Sequence, residues 1–140
     1  MQNTVVIAGA GHAAGQTIVS LRQGGYAGRI VLVGEEPFLP YQRPPLSKKF
    51  LAGELDVPRL LVRQEKFYEE HQVEVLLNTR VTRIEPGSRN VGLSTGNELV
   101  YDKLVMATGS RAREVQLPGH RLTGVHYLRT ISDVDRIRDH

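Results

Sequence analysis

The chain reads as an α/β protein: a parallel βαβ core with a small antiparallel β excursion. Three observations predict this. An apolar run, Val5-Val6-Ile7-Ala8, passes straight into Gly9-Ala10-Gly11-His12-Ala13-Ala14. A helical pattern and a second apolar run, Ile30-Val31-Leu32-Val33, follow in that order, with Glu35 just after them. Later, short strand-like runs broken by turn residues fill positions 81–101, and KLVMA at 103–107 returns to the buried-strand pattern.

The first run fits a strand buried on both faces. The glycine segment after it has the form G-x-G-x-x-A, and each small residue has a physical task. Gly9 permits the tight turn out of the strand, Gly11 lets a pyrophosphate approach the backbone, and Ala14 lets the helix pack close to the strand. Free N–H groups at the helix start, with the helix dipole behind them, suit phosphate. Ala14, Ile18 and Leu21 share one helix face, and Gly24-Gly25 ends the helix. Glu35 lies 26 residues beyond Gly9, somewhat past the roughly 20 usual for the acid that bonds a nucleotide ribose. The alternative is a βαβ unit whose glycines serve packing only. Strand, glycines, helix, strand and acid in one order favour the nucleotide reading.

Residues 36–46 carry four prolines within nine positions, which rules out helix and central strand and predicts a stiff, shaped loop. Ser47 can cap a short helix over 48–52, stopped by Gly53. Residues 55–63 look irregular. A helix is expected over 64–72, with Phe67 and His71 on one face, and a third parallel strand over 73–77. Residues 81–85 form a strand, then Pro86-Gly87 turns the chain into a hairpin of 90–94 and 98–101 around Thr95-Gly96-Asn97. The buried strand 103–107 ends in Thr108-Gly109-Ser110, and a polar, basic loop follows over 111–119. A short strand is expected over 125–128. Thr130-Ile131-Ser132-Asp133 has capping-box spacing and starts a helix that runs out at His140. That abrupt ending suggests the front part of a longer protein, so residues 1–140 are expected to form one domain or less.

Composition narrows the function. The chain has 140 residues, 18 basic and 15 acidic, net charge +3. The basic residues are scattered, which gives no support to nucleic-acid or membrane binding. No apolar run approaches 18 residues and no signal peptide precedes the first strand, so a cytoplasmic protein is expected. There is no cysteine, which excludes disulfides, thiolate metal sites and thiol redox chemistry within these residues. The five histidines show no metal-ligand spacing, and no metal is expected.

Three stretches together resemble one family: GAGHAAG, LVGEEPFLPYQRPPLSKKFLAGE and DKLVMATGSRARE. They are similar to the FAD-dependent NAD(P)H:ferredoxin reductases of bacterial oxygenase systems, the putidaredoxin and rhodocoxin reductases among them. The likeness extends down to the YLRT at 127–130. It implies a Rossmann-like FAD/NAD(P)-binding fold. It also implies that the first glycine motif takes FAD, with Gly9, Gly11 and Ala13 holding the pyrophosphate through backbone N–H groups. Glu35 would bond the adenosine ribose, and Val81 would meet the adenine through its backbone. Arg43 and Lys48 belong to the RPPLSK loop expected against the flavin. Ala107-Thr108-Gly109 matches the ATG signature at the strand end, and Arg129 matches a flavin-contacting position. Lys48 is the candidate catalytic residue, because a fixed ammonium stabilises negative charge developing on a reduced flavin ring. Taken alone, it reads as a solvated lysine beside Lys49.

The resemblance further implies that electrons pass from NAD(P)H through FAD to a ferredoxin-type iron–sulfur protein. The thiol-using neighbours of this family carry cysteine soon after the ribose acid, where this chain has Arg43-Pro44-Pro45-Leu46-Ser47-Lys48, so an external acceptor is expected. No second G-x-G-x-x-G occurs. The NAD(P)H-binding domain, the late Gly-Asp segment of the flavin site and the C-terminal domain are therefore expected beyond these residues. The 140 residues alone are expected to be inactive and to self-associate through uncovered apolar sheet surface. The alternatives are the flavin module of an NADH-dependent nitrite reductase, or a non-catalytic nucleotide-binding fragment.

Overall fold

The computed structural model describes residues 3–140. Its core is a four-stranded parallel sheet ordered β3-β2-β1-β7, made of β1 Thr4–Ala8, β2 Arg29–Val33, β3 Val73–Leu76 and β7 Lys103–Met106. The βαβ unit forms as the glycine motif predicts. Helix α1, His12–Gln23, joins β1 to β2, which pair in parallel from Thr4 opposite Arg29 to Ala8 opposite Val33. β3 pairs parallel to β2 and β7 parallel to β1.

Strand alternation sorts the core into two layers. Val5 and Ile7 of β1 and Ile30 and Leu32 of β2 pack with Ala14 and Ile18 of α1 and with Tyr68 of α3, Glu65–Glu70. The intervening residues, Val6, Val31 and Val33, point the other way and pack with Val91, Leu93 and Tyr101. Val91 and Leu93 belong to β5, Asn90–Leu93, the middle strand of an antiparallel sheet between β4, Val81–Glu85, and β6, Glu98–Val100. Both faces of β1 and β2 are therefore covered, which is why their sequences read as unbroken apolar runs. The sheets and helices just described, within residues 3–41 and 61–109, form one compact unit.

A second unit comprises residues 42–60 and 110–140. A 3-10 turn, Pro44–Ser47, packs with α4, Ile131–Arg138. Leu46, Phe50, Ile131 and Val134 are buried, and the Arg138 guanidinium lies 4.6 Å from the centre of the Phe50 ring. Thr130 caps α4 through the expected capping box, with the Asp133 carboxylate returning a bond to the Thr130 N–H at 2.8 Å.

Four expectations are corrected. The helical turn of the proline loop sits at Pro44–Ser47 rather than 48–52, where the chain coils in successive turns, because prolines are favoured in a first turn whose N–H groups need no partner. Residues 57–60 form a short helix, α2 Val57–Leu60. Asp56 accepts a bond from the Arg59 N–H at 3.2 Å, an N-cap just ahead of Pro58. Residues 125–128 form no strand, having found no neighbour to pair with. β7 is an edge strand, with Met106 57 % exposed, rather than a buried one.

Candidate functional site

The two glycines of the turn have different surroundings. Gly9 takes φ +110°, and a Cβ there would sit 2.1 Å from the Ala107 carbonyl oxygen. The turn leaving β1 thus lies against the end of β7, which puts the first glycine and the ATG segment side by side. The Gly9 N–H bonds to Val33 O at 2.8 Å, and Ala107 N–H to Ala8 O at 2.8 Å, so both neighbours of the turn are fixed. Gly11 differs. Its φ of −92° is ordinary, and a Cβ there would meet nothing within 4 Å. Gly11 is also the N-cap of α1, with no side chain capping the helix and no acidic residue in the first turn. The first-turn N–H groups, those of His12 and Ala13 among them, have no partner inside the helix. The structure thus offers a row of donors, a positive helix end and open space at Gly11, a donor set that suits a pyrophosphate. Ala14 is fully buried beneath, at the helix–strand contact.

Glu35 lies at the exposed end of β2 and is joined to Arg80 by a salt bridge. The chain from 34 to 36 is laced to the chain from 78 to 80: Thr79 N–H bonds to Gly34 O at 2.8 Å, and Asn78 N–H to Glu36 O at 3.3 Å. Val81, next to Arg80, begins β4 and is half-buried. Glu35, Arg80 and Val81 are therefore neighbours. Sequence reasoning missed Arg80, because its partner is 45 residues away and no spacing rule announces the pair. Thr108 and Gly109 extend, exposed, from the end of β7.

The remaining expected residues belong to the second unit, where Arg43 and Arg129 are brought together. Arg43 Nη1 donates to Arg129 O at 2.8 Å. The Arg129 N–H donates to Asp133 Oδ2 at 2.9 Å. Burial alone would raise the Asp133 pKa, but bonds from the Thr130 and Arg129 N–H groups outweigh it and hold the carboxyl below its ordinary value. With its backbone held at both ends, Arg129 keeps a buried Nε that has no hydrogen-bond partner among the described residues. A buried donor left in this way is suited to a ligand oxygen. Lys48 closes the 3-10 turn, and its exposed ammonium bonds to Pro44 O at 3.2 Å. Among the described residues no carboxylate pairs with it.

No helix among the described residues is long and apolar enough to cross a membrane. The family model described as pyridine nucleotide-disulphide oxidoreductase matches residues 3–140. A ferredoxin–NAD(P)(+) reductase of Sphingomonas sp. is 45 % identical over 133 residues, which are 95 % of this chain and 32 % of the relative. Among solved structures, the ferredoxin reductase for the CYP199A2 system of Rhodopseudomonas palustris is 44 % identical at a TM-score of 0.90, over 98 % of this chain and 34 % of that one. The reductase of the covalent putidaredoxin reductase–putidaredoxin complex is 36 % identical at a TM-score of 0.87, over 99 % of this chain and 34 % of that one. The chain spans about a third of the length of the relatives it matches.

Proposed function

The chain belongs to the pyridine nucleotide-disulphide oxidoreductase family, and from that premise we propose that it is the FAD-holding segment of an NAD(P)H-dependent reductase. Its electron acceptor is a ferredoxin-type iron–sulfur protein. The observation that carries the reading is the glycine turn: Gly9 is locked against Ala107, while Gly11 opens onto empty space at an uncapped helix start. The names of the relatives, a ferredoxin–NAD(P)(+) reductase and a putidaredoxin reductase in complex with putidaredoxin, support the electron acceptor.

In this reading Gly9, Gly11 and Ala13 present N–H groups to the pyrophosphate, and Glu35 accepts from the adenosine ribose hydroxyls. Val81 lies against the adenine. In the second unit the cofactor-contacting residue is Arg129, with its unpartnered Nε, and Arg43 fixes the backbone that carries it. Ala107, Thr108 and Gly109 form the strand end beside the turn. When bound, the flavin supplies two-electron acceptance and one-electron release, which links a hydride donor to an iron–sulfur acceptor. Lys48 contributes a positive charge that favours the reduced, anionic ring. These 140 residues hold no thiol to relay electrons, which supports an external protein as the acceptor. One-sided pairing of β7 leaves a row of unpaired backbone groups, which supports self-association of the isolated chain.

The test is Glu35→Ala in the full-length gene product, titrated with FAD by calorimetry. Removing charge-assisted bonds to the ribose lowers affinity by roughly 1.5–3 kcal/mol. FAD binding as tight as in the parent would overturn the assignment.

A further inference from the structure

We propose that Arg80 is a positioning residue for the nucleotide-binding carboxylate, holding Glu35 so that it meets the adenosine ribose with one oxygen. The inference rests on the reading of Glu35 given above. Arg80 Nη2 bonds to Glu35 Oε1, and among the described residues no donor reaches Oε2. The side chains are 51 % and 62 % exposed, and an ion pair so open to water adds little to folding stability. Its geometry is nonetheless imposed from elsewhere. The Arg80 N–H donates to Ser94 Oγ at 2.9 Å, and Ser94 N–H returns a bond to Arg80 O at 2.8 Å. Thr79, one residue earlier, is buried and tied to Gly34. The backbone of Arg80 is thus fixed to the antiparallel sheet on one side and to the end of β2 on the other.

A glutamate on a strand end has three rotatable side-chain bonds. Anchoring Oε1 removes most of that freedom before a ligand arrives, so less ordering remains to oppose binding. The guanidinium also offsets the negative charge of Glu35, which otherwise repels an incoming pyrophosphate. Both effects act through Glu35, and this separates positioning from a general role in folding.

The experiment measures ADP binding to the flavin-stripped, full-length gene product, because ADP reports the adenosine and pyrophosphate contacts without the flavin ring. Five proteins are compared: the parent, Arg80→Gln, Glu35→Gln, the double variant, and Arg80→Lys as a conservative control. Arg80→Gln is expected to weaken ADP about five- to tenfold with its unfolding midpoint unchanged, a size typical of coupled neighbours. The double variant should bind within about twofold of Glu35→Gln alone, and Arg80→Lys should recover part of the loss. Arg80→Gln binding ADP like the parent overturns the proposal. So does a loss that adds in full to that of Glu35→Gln, since Arg80 would then act on its own. If Glu35→Gln binds ADP as the parent does, the ribose assignment fails, and this inference fails with it.

Discussion

Gly9 and Gly11 stand two positions apart and do opposite work. At Gly9 the backbone has φ +110° and no room for a Cβ beside Ala107. The residue serves the fold, bringing the end of β1 against the end of β7. Gly9→Ala should therefore destabilise the chain by roughly 2–5 kcal/mol, combining an unfavourable φ with overpacking. Urea unfolding of the variant checks this, and a change below about 0.5 kcal/mol would contradict it. At Gly11 nothing crowds a side chain, since a Cβ would meet nothing within 4 Å. The motif G-x-G-x-x-A and the separate tasks of its glycines were legible in the sequence, but the contact of Gly9 with Ala107 was not, because it depends on β7 arriving from about a hundred residues away. Arg80 was illegible for the same reason. Glu35 could be read from its place after β2, whereas its partner comes from another part of the chain.

At the scale of elements, local chemistry was readable and pairing was not. β1, α1 and β2 follow from apolar runs and glycines, and α4 from a capping box. Helix α2 was missed although Asp56 and Pro58 signal it. Residues 125–128 resemble a strand, yet a strand requires a neighbour, and none is present among the described residues. The capping box gives a direct prediction. Thr130→Ala removes the bond to the Asp133 N–H and should lower stability by about 1 kcal/mol. The Asp133 carboxyl is held below its ordinary value of 3.8. Its contribution is therefore complete above that pH and fades as the pH falls through the lower, folded value. Unfolding curves of parent and Asp133→Asn should differ near neutral pH and converge in acid. A gap that persists in acid would show that the carboxylate charge is not what stabilises the cap.

For the molecule as a whole, the two compact units carry separate parts of the proposed chemistry. The first holds the glycine turn, Glu35, Arg80, Val81 and the ATG strand end. The second holds Arg43, Lys48 and Arg129. The fold class was legible because both faces of β1 and β2 are buried and their composition shows it. The exposure of β7 was not, because KLVM reads as core whether or not anything covers it. The central claim is that the open space at Gly11 is where a flavin dinucleotide's phosphates lie. The visible absorption spectrum of the full-length gene product after gel filtration tests it most directly, taken beside that of Gly11→Val. The account predicts flavin bands that elute with the parent protein and are lost or strongly reduced in Gly11→Val, while the variant keeps the parent's far-UV circular dichroism and unfolding midpoint. A folded Gly11→Val protein carrying as much flavin as the parent would contradict it.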